Sequence, residues 1–285
     1  MEHENNKEKP PATSITYPPT FVPINILESL CGASDESQPV ESYDGSLGVT
    51  KEFVNTHQKS VGQIQWNADL ADKYTNPGTV NGERWCSGTL ISDDLFLSAG
   101  HCFDSDADGW EVPKINGTQQ PIEPNEIAKN MHINFNYQSD PNGKLRQEDS
   151  YPIIELLEYR LDNLDYAIVK LEGKPGKKYG HGTIAQIDAV VGNSICIIGH
   201  PEGWPKVIEA GHVSDFKDTR IGYNDLDTRG GNSGSAVLSS PQGTIVGVHT
   251  HGGCGEPQGH NYGHTITALL RASAVIREII GQNPI

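Results

Sequence analysis

The sequence predicts an all-β protein. Short runs of alternating or continuously apolar residues recur at 60–66, 88–91, 94–98, 165–171, 193–199, 236–238 and 244–249, and glycine, proline, asparagine and aspartate separate them. Many short strands with turn chemistry between them are the pattern of a sandwich or barrel. Only the end of the chain changes period. Leu269, Leu270, Ser273, Ile276 and Ile280 share one helical face, and Gly281 follows as a stop, so residues 266–285 read as a C-terminal helix.

Before the first strand pattern, residues 1–59 are polar and proline-rich and read as a tail or pro-segment. A short apolar patch at 21–27 is placed to dock on the folded body, with Cys31 as a tether. The stretch 104–160 is long and polar for a connection between strands. Its opening residues Asp104, Asp106 and Asp108, followed by Gly109, copy the first half of a calcium loop, but Ile115 stands where such loops carry a bidentate glutamate. A solvated acidic loop is the competing reading, and no other cofactor is expected.

With 285 residues the chain is long enough for one large or two small cores. Its formal net charge of −16 repels polyanions, which argues against nucleic acid or an anionic membrane surface as a partner. Five cysteines cannot all pair, so one thiol stays free. The charged N-terminus has no apolar signal-like core, so an exported protein would have lost its signal before this numbering or left the cell by another route.

Two motifs carry chemistry. Gly230-Gly231-Asn232-Ser233-Gly234-Ser235 presents a small serine between glycines, and upstream lie Trp85-Cys86-Ser87-Gly88-Thr89-Leu90 and Leu97-Ser98-Ala99-Gly100-His101-Cys102. A serine hydroxyl becomes a nucleophile when an imidazole takes its proton and an acid fixes the imidazole tautomer. Asp165, at the entry to an apolar strand, is the candidate acid; Asp162 precedes that strand and is the competitor. Each motif alone has a bland alternative, a glycine turn or a packed core histidine. The order His101, Asp165, Ser233 differs from that of the α/β-hydrolases and of the subtilisins, and Ser235 stands where a hydrolase elbow needs glycine.

At these residues the chain resembles the chymotrypsin-fold serine peptidases, in particular their bacterial glutamyl endopeptidase branch. Further motifs of the branch are Ile198-Gly199-His200-Pro201, Gly211-His212-Val213-Ser214, Tyr223, the run from Asp227 to Val237, and Val246-Gly247-Val248-His249-Thr250, and the likeness covers about residues 60 to 280. It implies two six-stranded antiparallel Greek-key barrels, the first over 60–185 with His101 and Asp165, the second over 186–265 with Ser233 and the pocket. It implies a disulfide between Cys86 and Cys102, hence an extracellular or periplasmic, oxidising compartment. Cys31, Cys196 and Cys254 are left with no readable pairing. The backbone amides of Gly231 and Ser233 would form the oxyanion hole, and Gly231 is expected at positive φ. Protein or peptide substrates and a monomeric enzyme are expected.

Two features bear on activation and specificity. Asn232 replaces the aspartate that pairs with a new N-terminus in trypsin-like zymogens, and no Ile-Val-Gly-Gly sequence occurs. Asp227 occupies the position that selects Arg or Lys in trypsin-like enzymes, whereas Thr228 and His249, with Thr250 and Gly252 in the pocket wall, match the residues that hold a glutamate side chain in the glutamyl branch. The resemblance favours cleavage after Glu or Asp, with Arg or Lys as the alternative. Two other readings are a non-catalytic binding module of the same fold and a zinc site from His249, His251, Cys254, His260 and His264.

Overall fold

A computed structural model of the chain describes residues 30–281, apart from 33, 108 and 255–258. In chain order its strands are β1 (Gln38–Pro39), β2 (Val61–Trp66), β3 (Arg84–Leu90), β4 (Leu95–Ser98), β5 (Met131–Phe135), β6 (Asp149–Arg160), β7 (Tyr166–Leu171), β8 (Thr183–Ile184), β9 (Ser194–Gly199), β10 (Val207–His212), β11 (Asp215–Lys217), β12 (Arg220–Tyr223), β13 (Ala236–Ser239), β14 (Thr244–His251) and β15 (Asn261–Thr265).

Strands β2 to β7 close a barrel in the order β2-β3-β4-β7-β6-β5, every pairing antiparallel. The first three strands follow chain order and the next three return in reverse, so β5 meets β2. Gly62 and Gly88 pair across β2 and β3 and open the interior to the Phe96 ring. A Cβ on Gly88 would lie 2.3 Å from that ring and 2.5 Å from the Leu97 carbonyl oxygen.

The second half forms a nine-stranded sheet with the path β1-β10-β9-β13-β14-β15-β12-β11 and β8 alongside β14. Six of these strands repeat the order of the first barrel, but the seam between β10 and β12 carries no ladder, so this half is a curled, open counterpart of the closed barrel. Asp225 occupies the seam: its carboxylate accepts the backbone N–H of His212 at 2.8 Å and lies against Gly211. Each half has its own core. A third apolar cluster lies between them, joining Val61, Leu97, Tyr166 and Ile168 of the barrel to Ile198, Ile208, Leu238 and Val248 of the sheet.

Three boundaries differ from the sequence reading. Residues 30–60 are part of the fold and not a solvated tail: β1 pairs with β10, Val40, Tyr43 and Val49 are buried, and a helix α1 (Lys51–His57), capped by the Thr50 hydroxyl, buries Phe53 and Val54. Isolated apolar residues that show no period in sequence find their partners on a distant sheet. The apolar patch at 21–27 lies outside the described residues. Second, β8 falls in the range assigned to the first barrel yet pairs parallel with β14 of the second half. Third, the C-terminal helix is two helices, Ile266–Ala272 and Ala274–Ile279. Ser273 breaks them because its backbone is extended and its hydroxyl accepts the Ile276 N–H, starting the second helix afresh.

Gly88→Ala is expected to destabilise the protein by about 1–3 kcal/mol, the usual cost of overpacking a filled core. Urea denaturation of the two proteins measures it, and an unchanged midpoint would show that the barrel interior has room to spare.

Candidate active site

His101 sits in a 3-10 turn, Gly100–Phe103, directly after β4. Two constraints fix that turn. Cys102 is bridged to Cys86 of β3, and Gly100 packs so closely on the chain before β7 that a Cβ there would lie 2.1 Å from the Arg160 carbonyl oxygen. The turn therefore presents His101 to Asp165, the residue before β7. Asp165 grips it at two points: one carboxylate oxygen accepts the His101 backbone N–H at 3.0 Å and the other lies 2.6 Å from Nδ1 of the ring. Asp165 is 6% exposed. Burial pushes its pKa up, but the hydrogen bonds and charge of His101 outweigh this and leave it below the ordinary 3.8. The competitor Asp162 is exposed.

Ser233 lies in the loop between β12 and β13, half-buried. Gly231 and Gly234 flank it with φ of +92° and +89°, the left-handed region expected at Gly231. Strand β3 holds this loop from the other half of the molecule. The Ser87 N–H donates to the Ser233 carbonyl at 3.0 Å, and the Ser87 hydroxyl donates to the Gly231 carbonyl at 2.7 Å. Cys102 Sγ, one residue from His101, is 3.8 Å from the same Ser233 carbonyl oxygen. In the sequence Ser87 is marked only by its flanks, Cys86 and Gly88, and no role attaches to it.

The backbone amides of the loop divide into two groups. Those of Asn232, Gly234 and Ser235 donate to the carbonyls of Arg229, His249 and Asn232. Among the described residues, those of Gly231 and Ser233 have no such acceptor. Their orientation is set by the preceding carbonyls, since N–H and C=O of a trans peptide point opposite ways. The Gly230 carbonyl accepts from Glu202 and the Asn232 carbonyl from Ser235.

Of the residues that the resemblance assigns to a pocket, His249 and Thr250 lie on β14 and Thr228 lies in the loop that leads to Ser233. Thr228, His249 and Thr250 are buried, and Gly252, half-buried, follows the end of the strand. His249 Nδ1 pairs with the Tyr223 hydroxyl. Burial, then the neighbouring His251 and His101, push the His249 pKa down to about 3, so its ring is neutral at neutral pH. Asp227 is also buried, but its carboxylate is engaged from below: it accepts the N–H of Cys31 at 2.6 Å and of Glu36 at 3.2 Å. Cys31 is disulfide-bonded to Cys254, so the N-terminal segment is anchored both at Asp227 and at the loop after the pocket strand. Cys196 is the remaining thiol, buried on β9, where burial pushes its pKa up and keeps it protonated.

Under the same segment lies Glu209, 5% exposed. Burial, then the nearby Asp35 and Asp227 carboxylates, raise its pKa to about 9, so it is a neutral acid at pH 7.

The zinc reading loses one donor, Cys254, to a disulfide, and Nδ1 of His249, His260 and His264 pairs with the hydroxyl of Tyr223, Ser214 and Thr219. Among the described residues one group of candidate ligands converges, Cys86, His101 and Cys102, and its cysteines are bridged to each other. Asp104 accepts a hydrogen bond from Tyr159. Asp108 lies outside the described residues.

Residues 86–248 match the family model of the trypsin-like peptidase domain. Among curated proteins, the chain is 27% identical over 239 residues to a secreted RxLR effector protein 73 of Plasmopara viticola, covering 80% of this chain and 52% of that protein. It is 27% identical over 215 residues to a protein named extracellular metalloprotease of Bacillus subtilis (strain 168), covering 70% and 58%. The chain thus spans little more than half the length of these relatives. Among solved structures, a Glu endopeptidase in complex with MPD aligns with TM-score 0.53 at 20% identity, over 88% of this chain and 98% of that one. A serine endoprotease from Yersinia pestis aligns with TM-score 0.50 at 20% identity, over 81% and 66%, and Deg5 with 0.52 at 18%, over 81% and 95%. At these identities the likeness shows the fold.

Glu209→Gln is expected to flatten the pH dependence of stability. With its pKa raised from 4.5 to about 9, the folded protein binds a proton that the unfolded chain releases between those values. The contribution of Glu209 is therefore full below about pH 4.5 and is lost as pH rises towards 9. Thermal melts across that range check it: a fall in Tm equally steep in the variant would place the proton elsewhere.

Proposed function

The chain belongs to the trypsin-like peptidase domain family, and from that premise we propose that it is a serine endopeptidase working through Ser233, His101 and Asp165. The observation that carries the reading is the two-point grip of Asp165 on His101. Holding the proton on Nδ1 leaves Nε2 free to accept the proton of Ser233 as its oxygen attacks the scissile carbonyl. The imidazolium then protonates the departing amine, and water hydrolyses the acyl-enzyme by the same exchange in reverse. The amides of Gly231 and Ser233 are the donors for the oxyanion, because their neighbours are engaged and they are not.

For specificity we favour Glu or Asp before the cut. Asp227 is spent on the amides of Cys31 and Glu36, so a basic side chain entering the pocket would have to compete with two hydrogen bonds. His249, being neutral, would meet a substrate carboxylate as a hydrogen-bond donor beside Thr228, not as a standing cation. Two disulfides fit an oxidising compartment outside the cytoplasm, in keeping with the relatives' names, and no described helix is long and apolar enough to cross a membrane.

Ser233→Ala should abolish labelling by a fluorophosphonate and lower turnover on the order of 10⁶-fold. Wild-type protein that is never labelled would hand the reading to a binding module. In a peptide library, dominant cuts should follow Glu or Asp, and His249→Ala should impair these more than Asp227→Asn does. Dominant cuts after Arg or Lys would overturn the acidic preference and leave the triad untouched.

A further inference from the structure

We infer that His251 is a positioning residue of this site: its imidazole faces the Asp165 carboxylate and sets how strongly that carboxylate acts on His101. The inference rests on the serine peptidase reading above. Asp165 Oδ2, which lies 2.6 Å from His101 Nδ1, is 4.0 Å from Nδ1 of His251, and the two imidazole rings are 5.8 Å apart. One carboxylate oxygen thus looks onto two imidazoles.

The placement of His251 is built into the sheet. In a regular strand, residues two apart share a face. Strand β14 bulges between His249 and His251: His249 pairs with Gly263 and His251 with Tyr262, the next residue on β15. The extra residue, Thr250, reverses the alternation and sends the two histidines to different faces. His249 goes inward to Tyr223, and His251 goes outward onto the Tyr262 ring, stacked at 4.8 Å and 6°. The Arg220 guanidinium lies 4.5 Å over the same ring. His251 is therefore a half-exposed side chain on a fixed support, aimed at the acid.

The ionisable groups around it are His101, Asp165, His249, His264 and Arg220. Partial burial, then the electrostatic influence of His101, hold the His251 pKa down at about 4. His251 thus acts as a neutral dipole. In the tautomer with its proton on Nδ1, that dipole faces Asp165 and draws off part of the carboxylate's pull on His101. The effect grows when substrate excludes water, because the local dielectric falls. Without it, the His101 imidazolium would surrender its proton to the departing amine less readily, which slows turnover.

Three substitutions separate this role from packing. His251→Phe keeps a flat ring on Tyr262 but has no N–H, His251→Asn places an amide N–H near the position of Nδ1, and His251→Leu removes both ring and donor. Phe should lower kcat on the order of 10-fold, equal to about 1.4 kcal/mol, with peptide KM within about twofold. It should also move the acid limb of the kcat/KM profile to higher pH, and Asn should restore both. If Phe does not fold, as judged by thermal melting, Leu must show the same loss and shift. A ring-only variant with wild-type kcat and pH limb, an Asn variant no better than Phe, or a change confined to KM would overturn the assignment in favour of a packing or substrate-contact role. Fluorophosphonate labelling of Ser233 in each protein tells the two failures apart: an unlabelled wild type overturns the peptidase reading, whereas labelled proteins with indistinguishable kinetics overturn only the role of His251.

Discussion

The N–H of Ser87 reaches the carbonyl of Ser233, its hydroxyl donates to the carbonyl of Gly231, and the same hydroxyl accepts the N–H of His200. Through these bonds one fully buried residue of the barrel holds the loop of the other half that bears the serine. Its neighbour Cys86 is bridged to Cys102, beside His101, so a dipeptide of β3 fixes His101 and the Ser233 loop together. A single hydrogen bond contributes only about 1 kcal/mol net, but a buried group left without its partner costs about 1–3 kcal/mol. The loop cannot drift from β3 without stranding several such groups at once. Ser98 closes the arrangement, donating to the Ser87 carbonyl at 2.8 Å, and its hydroxyl oxygen lies 2.1 Å from where a Cβ on Gly234 would stand. That contact and the left-handed backbone account for glycine after the serine.

A second constraint acts on Asp227. The segment 31–37 brings Asp35 and Glu36 next to Asp227 and Glu209, a concentration of carboxylates that would repel one another if each were charged and unpaired. Three devices relieve it. Asp227 is solvated by two backbone amides, Asp35 pairs with Arg229 at 2.9 Å, and Glu209 keeps its proton. Arg229 also reaches Glu202 at 3.0 Å, and Glu202 donates its own N–H to Gly230 in the loop that carries Ser233. The electrostatics of the N-terminal segment and the backbone of the Ser233 loop are one network. The disulfide from Cys31 to Cys254 keeps the segment in place, and its loop is among the longest the chain can close.

Much of this was legible in one dimension. The all-β class followed from the period of the apolar runs, and the candidate triad from the chemistry of Ser233, His101 and Asp165 in their chain order, since a nucleophile, a base and an acid at a strand entry each leave a local mark. The glycine at 231 was readable for the same reason: its left-handed backbone is a property of the residue and its turn. The C-terminal helix was readable as an apolar face but not as two pieces. Ser273 fits the face, and only its cap to Ile276 reveals the break.

What the sequence determined by itself was therefore local: strand period, turn chemistry and residue type at the candidate site. What tertiary structure decided was every property that depends on a distant partner. The Asp227 carboxylate carries no mark of a partner until Cys31 and Glu36, 196 and 191 residues away in the chain, donate to it. Residues 30–60 read as a tail until β10 offers them an edge. His249 and His251 read as members of one zinc set until a bulge in β14 turns them to opposite faces, and nothing in the local sequence marks Glu209 as buried among other carboxylates, where it keeps its proton. Hydrogen bonding, burial and charge depend on separation in space, and a chain folded into two joined halves brings together residues whose separation in sequence carries no trace of that contact.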